Sequence, residues 1–210
     1  MIGLLKKDLF VADKSGRLLV VLAIVFSVIP KMGNFGSTYA MMLGMMMPLT
    51  SIAYDEKSKW DKYAAMLPYR TSHLVLSKYL LAYIYILLGG SIVVLGSLLR
   101  GSITGAMDWV ETMEMTAALG IIVPFVTALD LPLVYRFGSE RGRLVMLLII
   151  GSGMGAVFGI LSVKDQLPEP PSLPLPALAA AIAILAVAAN VVSIRLSVHF
   201  YRKRQNGRYN

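Results

Sequence analysis

The sequence contains no cysteine and only two histidines, His73 and His199, which lie far apart in the chain. Disulfide bonds and thiolate metal sites are therefore excluded, and a histidine metal site has little support. The chain also lacks the G-x-x-x-x-G-K-[ST] phosphate loop and the H-E-x-x-H zinc motif. We therefore predict that this chain is not an enzyme, and that it carries no metal or cofactor of its own.

Charged residues are also scarce, at 15% of the chain, whereas a soluble domain usually carries about a quarter. Hydrophobic residues make up 57%, and they are concentrated in long runs without a charge. A chain whose solvent is lipid has this pattern. Backbone groups cannot stay unpaired in lipid, so the runs are predicted to be helices.

The fold predicted from these runs is all-α: a polytopic membrane protein forming one domain over residues 1–210. A helix needs roughly 20 apolar residues to cross a bilayer. The first run has only about 13, at 18–30, and reaches span length only by continuing past Lys31. A signal peptide is the alternative for this run, but no small-x-small cleavage site follows it. The six predicted spans cover about 18–35, 37–54, 75–99, 112–135, 144–163 and 173–195.

Lysine and arginine are distributed very unevenly between the two sides of this topology. One side receives the N-terminus, the loops 55–78 and 136–143 and the C-terminus, and it holds 17 of the 20 basic residues. The other side holds only Lys31, Arg100 and Lys164. The positive-inside rule therefore places both termini in the cytoplasm. This asymmetry accounts for the net charge of +8 without nucleic acid, and the basic tail is predicted to contact anionic membrane lipid.

The first residues are predicted to form a helix at about 2–14 that lies in the membrane interface. Apolar residues recur at helical spacing, and most charged residues lie elsewhere on the helical wheel. An irregular charged leader is the alternative. The apolar positions are Ile2, Leu5, Leu9 and Ala12.

A second short amphipathic helix is predicted in the cytoplasmic loop at about 55–67, because Asp55 can cap its start and Pro68 stops it. Glu56 in the first turn suits the helix dipole. Spacing of i, i+3, i+4 and i+7 gives the helix one apolar face. Physical reasoning alone leaves two interpretations open: the face docks a partner, or it rests on lipid headgroups. Its members are Trp60, Tyr63, Ala64 and Leu67.

Asp130 is the one acidic residue deep within a predicted span. It could be a proton or substrate site, but we favour a structural pair near the cytoplasmic interface with Arg136 or Lys78. The methionines at 41–47 could suggest transport of a soft metal, but methionine is also a flexible packing residue, and packing is favoured. A four-residue repeat predicts a close helix-packing face made of Gly151, Gly155 and Gly159.

Two segments contain motifs that hydropathy alone does not require. The first is YDEKSKWDKYAAMLP at 54–68, followed by Ser77-Lys78-Tyr79, and the second is PLVYRFGSERGR at 132–143. Together they resemble the ABC-2 type permease family, in the branch of small six-helix bacterial permeases. The chain is similar there to permeases of peptide exporters such as the phenol-soluble modulin exporter. The resemblance covers essentially the whole chain.

The resemblance implies a permease subunit of an ATP-binding-cassette exporter in the bacterial cell membrane, moving a hydrophobic or amphipathic substrate such as a peptide. It also implies a separate ABC-type ATPase that binds ATP and Mg²⁺, and a second permease copy, with a homodimer favoured over a heterodimer. The ATPase-coupling role then falls on Asp55, Glu56, Lys57, Trp60, Tyr63, Leu67 and Pro68. The second cytoplasmic loop of the family corresponds to Tyr135, Arg136, Phe137, Gly138, Glu140 and Arg141.

Two other functions compete with this one. A membrane-embedded accessory or immunity protein would have the same hydropathy but no ATPase partner. A secondary transporter would need several intramembrane ionisable groups or an inverted repeat, and the sequence offers only Asp130 and no clear repeat.

Overall fold

The structure is a computed structural model that describes residues 2–29, 33–105, 109–162 and 175–206. These residues are helical apart from short turns, in agreement with the predicted all-α fold. One helix, α3, is short, and the other six are long. Their bounds are α1 Ile2–Val28, α2 Gly33–Lys57, α3 Trp60–Met66, α4 Thr71–Thr104, α5 Trp109–Phe137, α6 Ser139–Ser162 and α7 Leu175–Asn206.

Three segments among the described residues are long and apolar enough to cross a membrane: Thr71–Thr104, Trp109–Phe137 and Ile184–Arg204. A shorter apolar helix covers Gly16–Val28. The chain is therefore a multi-pass membrane protein.

The first helix differs from its prediction, because the structure has one continuous α1 where the sequence suggested an interfacial helix followed by a span. No proline interrupts the junction, and Arg17 Nε donates to Asp13 Oδ1 at 3.0 Å across one helical turn. Such an i, i+4 pair favours continuing the helix. The predicted end of the span at 35 also lies inside α2, which begins at Gly33. The described residues of each of the five later predicted spans lie on one helix.

Helix α2 packs against α1, α4 and α5. Ala40, Met41, Leu43 and Met47 are buried along it. A helix that its neighbours shield from lipid needs less hydropathy, which explains why α2 tolerates many small polar residues. Met41 and Met47 fill space between helices, as the packing interpretation of the methionine cluster expects.

Close helix contacts depend on glycines that the sequence did not single out. A Cβ atom on Gly89 would lie 2.4 Å from the backbone oxygen of Ala40, and one on Gly44 would lie 2.2 Å from Ile86 Cγ1. The two glycines let α2 and α4 approach closely. By contrast, a Cβ atom on Gly151 would meet nothing within 4 Å.

The predicted packing face on α6 is therefore wrong at Gly151 within this chain. Gly155 and Gly159 also lie in α6, but their surroundings fall outside what the structure describes. A repeat of small residues shows where a close approach is possible, but it does not show whether a neighbouring helix is there.

A proline in α5 helps to join α5 to α7. Pro132 has no N–H group, so the carbonyl of Ala128 loses its partner within the helix. The hydroxyl of Ser193 on α7 donates to that carbonyl at 2.5 Å. Tyr79 of α4 completes the arrangement, since its hydroxyl oxygen lies 2.6 Å from Ser193 Oγ. A buried polar seam therefore links α4, α5 and α7.

The long helices form two groups. In the first group α1, α2 and α4 pack on one another, and in the second α5 packs on α6 and α7. Helices α2 and α4 also contact α5, which joins the groups.

Candidate functional site

Charged side chains from several helices meet at one end of the bundle, which we call the charged end. Lys7 near the start of α1 reaches Asp55 at the end of α2, and Lys78 of α4 reaches the same carboxylate. Glu56 reaches Arg204 in the last turns of α7. The start of α1, the α2–α4 connection, the α5–α6 turn and the end of α7 therefore lie together. These are the segments in which the sequence concentrates its basic residues.

Asp8 is the buried centre of this network, with only 1% of its surface exposed. Lys78 Nζ lies 2.6 Å from Asp8 Oδ1, Ser77 Oγ donates to Oδ2 at 2.8 Å and Ser51 Oγ donates to Oδ1 at 3.2 Å. Burial by itself would raise the pKa of the Asp8 carboxyl, but Lys78, Lys7 and the hydrogen bonds outweigh it and hold this pKa below its usual value. Asp8 is therefore ionised in the folded protein.

Asp55 completes the network with two lysines. Lys7 Nζ lies 2.5 Å from Asp55 Oδ1, and Lys78 Nζ lies 2.6 Å from Asp55 Oδ2. Two carboxylates and two ammonium groups thus alternate, and their charges sum to zero. A buried charge is tolerated when it is paired in this way.

The predicted capping role of Asp55 is wrong, because Asp55 and Glu56 lie in the last turn of α2 rather than in the following short helix. That helix, α3, is preceded by Lys59, which has a left-handed backbone with φ of 54° and makes no side-chain cap. The carboxylates of Asp55 and Glu56 point into the bundle, where their ion-pair partners lie. Those partners are distant from the two acids in the sequence.

Glu56 joins α2 to α6 and α7. Its Oε2 accepts a hydrogen bond from the backbone N–H of Ser139 at 2.9 Å and a short one from the Ser139 hydroxyl. Its Oε1 accepts from Arg204 Nη1 at 2.7 Å. Burial would raise the pKa of Glu56, but the Ser139 and Arg204 hydrogen bonds hold it below its usual value. Because Ser139 is the first residue of α6, the Glu56 carboxylate satisfies a free N–H at that helix terminus.

The apolar face predicted for the short helix is divided in the structure. Trp60 packs against the bundle core, with Lys7 Nζ 4.5 Å from the centre of its ring, and Ala64 is buried. Tyr63 is 61% exposed and Met66 is 81% exposed. One side of α3 therefore rests on the protein and the other is free. The exposed apolar side chains are Tyr63, Met66 and Leu67.

The predicted second cytoplasmic loop is a tight turn between α5 and α6. Gly138 occupies a left-handed conformation with φ of 87°, which glycine adopts readily. Tyr135 is buried, and its ring meets that of Tyr201 edge to face at 5.6 Å. The guanidinium of Arg136 lies 5.0 Å from the centre of the Phe137 ring. The inner residues of this turn thus hold α5 against α7.

A surface groove of about 450 Å³ lies between this turn and the end of α2. Its lining is mostly charged, with three cations and Glu140 beside the already paired Glu56. Glu140 and Arg141 are exposed, as is Lys57. The groove is net positive. Its cations are Lys57, Arg141 and Arg143.

Asp130 does not have the partner that the sequence suggested. It is 1% exposed, and its Oδ1 has no hydrogen-bond partner among the described residues. Lys78 is bound to Asp8 and Asp55, and Arg136 lies against aromatic rings. The expected pair with Arg136 or Lys78 is therefore wrong. The position of Lys78 in the sequence did not show that its ammonium group pairs with Asp8 and Asp55 instead of Asp130.

The chain matches the family model of the ABC-2 family transporter proteins over residues 3–202. It belongs to that family. No curated protein and no solved structure gives a significant match. The ABC-2 membrane domain is a permease component of ABC transporters, so this permease serves transport rather than catalysis, and its family implies an ABC ATPase partner.

Proposed function

We propose that this ABC-2 permease is the membrane-spanning subunit of a bacterial exporter, with six spans and both termini in the cytoplasm. A separate ABC ATPase binds ATP and Mg²⁺ and docks on α3. The observation that carries this proposal is the exposed apolar side of α3, formed by Tyr63, Met66 and Leu67, on a helix whose other side is fixed to the bundle.

A docking surface needs apolar anchors on a rigid support. Tyr63 and Met66 provide exposed apolar area, while Trp60 and Ala64 fasten α3 to the core beneath. Aromatic side chains in this position commonly supply most of the binding free energy of an interface. The three cations of the groove beside the α5–α6 turn, Lys57, Arg141 and Arg143, offer a second contact of complementary charge to an acidic segment of the ATPase.

The test is a Tyr63→Ala/Met66→Ala double variant, purified by an affinity tag on the permease together with the ABC ATPase of its host. Truncating such anchors typically costs about 2 kcal/mol of binding, or roughly 30-fold in affinity. We expect normal membrane insertion, reduced ATPase recovery and loss of export.

The matched control is Trp109→Ala, which removes an exposed aromatic side chain from the first residue of α5, at the other end of the bundle. It should leave ATPase recovery intact. If the double variant still co-purified with the ATPase, the docking proposal would fail. The apolar side of α3 would then rest on lipid headgroups instead.

The substrate class is proposed from a groove on the side of the bundle. A groove of about 690 Å³ lies among α2, α4 and α5, with mostly apolar residues and the hydroxyls of Ser91 and Thr116. This lining suits an amphipathic substrate, and we propose that a second identical copy of the permease closes the groove to form the pathway.

Gly90→Phe tests this pathway, because a Cβ atom on Gly90 meets only Met41 Sδ and Thr116 Cγ2, at 3.9 and 4.0 Å, so a larger side chain would extend into the groove. The probe is a fluorescent amphipathic helical peptide taken up by inside-out vesicles on addition of ATP. We expect Gly90→Phe to lose uptake while retaining ATPase association. Unchanged uptake would remove the groove from the pathway, and no uptake by the wild type would reject this substrate class.

A further inference from the structure

Asp55 and Glu56 are adjacent in sequence, yet they bind opposite groups of helices. Asp55 pairs with Lys7 of α1 and Lys78 of α4, which belong to the first helix group. Glu56 pairs with Ser139 of α6 and Arg204 of α7, which belong to the second. Both acids stand within five residues of α3, since only Lys57, Ser58 and Lys59 separate Glu56 from Trp60.

We propose that Asp55 and Glu56 are positioning residues that connect the docking helix α3 to both helix groups. We call these two acids and their partners the ionic fork. The partners are Lys7, Lys78, Ser139 and Arg204. This inference rests on the proposed docking of an ATPase at α3, and it reverses the role that the sequence suggested. The acids transmit movement inward from α3 and do not themselves contact the ATPase.

The contacts support transmission because each arm is short and partly or wholly buried. The Asp55 arm continues through Lys78 to Asp8, Ser51 and Ser77, so displacement of α2 is felt in α1 and α4. Both arms also line one small cavity of about 30 Å³. Other cavity residues are Tyr135 and Tyr201, which join α5 to α7.

The Glu56 arm is a fixed link to α6. Two hydrogen bonds from Ser139 and one from Arg204 orient the carboxylate. Because Glu56 binds the first N–H of α6, a displacement of the end of α2 is passed to the start of α6. Charge-assisted hydrogen bonds to both carboxylate oxygens hold the orientation of Glu56 better than a single contact would.

The experiment measures each arm separately in the purified permease without any ATPase. The chain has no cysteine, so spin labels can be placed at introduced cysteines without background. One pair is Lys62→Cys with Glu140→Cys, which spans α3 and α6. The other is Lys62→Cys with Ser72→Cys, which spans α3 and α4. All three positions are exposed.

We expect Glu56→Gln to broaden the distance distribution of the 62/140 pair and leave the 62/72 pair unchanged. Asp55→Asn should do the reverse. General destabilisation would broaden both pairs in both variants, so the crossed pattern separates positioning from mere loss of structure. Arg17→Ala is the control, because its exposed pair with Asp13 lies within α1 alone, and both distances should stay as in the wild type. Equal broadening of both pairs, or of neither, would overturn the fork.

The same labels in the complex with the ATPase test transmission. In the wild type, adding ATP should shift the 62/140 distance. In Glu56→Gln the ATPase should still co-purify and hydrolyse ATP, because the apolar anchors Tyr63, Met66 and Leu67 are unchanged, but the shift should disappear. A shift of wild-type size in Glu56→Gln would overturn transmission. Failure of the ATPase to co-purify with the wild type would instead count against the docking proposal and leave the crossed pattern to decide the fork.

Discussion

Lys78 is the residue on which the buried network depends most, because it compensates Asp8 and Asp55 together. We expect Lys78→Met to lower the free energy of unfolding by about 3–5 kcal/mol, since it leaves buried carboxylates short of a cation. Thermal unfolding in detergent, followed by intrinsic fluorescence, measures the change.

The double variant Asp8→Asn/Lys78→Met restores neutrality, because Lys7 still pairs with Asp55. It should recover part of the lost stability. A single variant as stable as the wild type would show that the network contributes nothing to folding.

Glu56 gives a pH dependence whose sign follows from its lowered pKa. A carboxyl whose pKa is lower in the folded protein than in the unfolded chain stabilises the fold above its usual value, near 4.5, and loses that contribution as the pH falls through the folded pKa. The wild type should therefore lose more stability than Glu56→Gln between about pH 7 and pH 3.

Comparing the unfolding midpoints of the wild type and Glu56→Gln at each pH isolates the contribution of Glu56 to the pH dependence, because Asp8 is present in both proteins. Parallel curves for the two proteins would mean that Ser139 and Arg204 do not stabilise the ionised form.

Among the helices, close packing at glycine makes a paired prediction. Gly89→Ala places a methyl group 2.4 Å from the backbone oxygen of Ala40, so α2 and α4 must separate. We expect a loss of about 1–3 kcal/mol. Gly151→Ala meets nothing within 4 Å and should be neutral or stabilising by up to about 1 kcal/mol, because alanine favours helix. The unfolding midpoints of the two variants, measured by thermal unfolding, test this prediction. Equal midpoints for Gly89→Ala and Gly151→Ala would contradict it.

Hydropathy located the later long helices, because each contains a long run of mostly apolar residues, and three of them are long and apolar enough to cross a membrane. It did not predict that α1 continues through Asp13 and Arg17, where an i, i+4 ion pair favours the helix slightly without adding apolar length. The amphipathic pattern located α3, but it could not show that Trp60 packs inward while Tyr63 faces outward.

The candidate site was harder to predict than the helices for a simple reason. The partners of Asp55 and Glu56 lie 23 to 148 residues away, and local spacing carries no information about them. The available signal was the motif Ser77-Lys78-Tyr79, all of whose side chains make buried polar contacts. Because this polar motif lies within a predicted span, it indicates that Lys78 needs buried acidic partners.

For the whole molecule, the distribution of basic residues predicts which faces reagents can reach. Single cysteines at positions 62, 140 and 203 should react with a membrane-impermeant maleimide only after cells are opened. A cysteine at position 104 should react in intact cells. The native chain has no cysteine, so each signal belongs to one site. Labelling of position 62 from outside intact cells would contradict the predicted topology.

The ionic fork also has a consequence for how the protein is made. A ribosome delivers the chain from its amino end, so Lys78 emerges 70 residues after Asp8, and Arg204 emerges 148 residues after Glu56. Lys7, which pairs with Asp55, is thus already present when α2 is made, whereas Arg204, which pairs with Glu56, is not. Helix α7, which follows the other described helices in the chain, supplies the partner of Glu56. Nascent chains arrested before α7 should accordingly expose the end of α2 to protease, and completed chains should protect it.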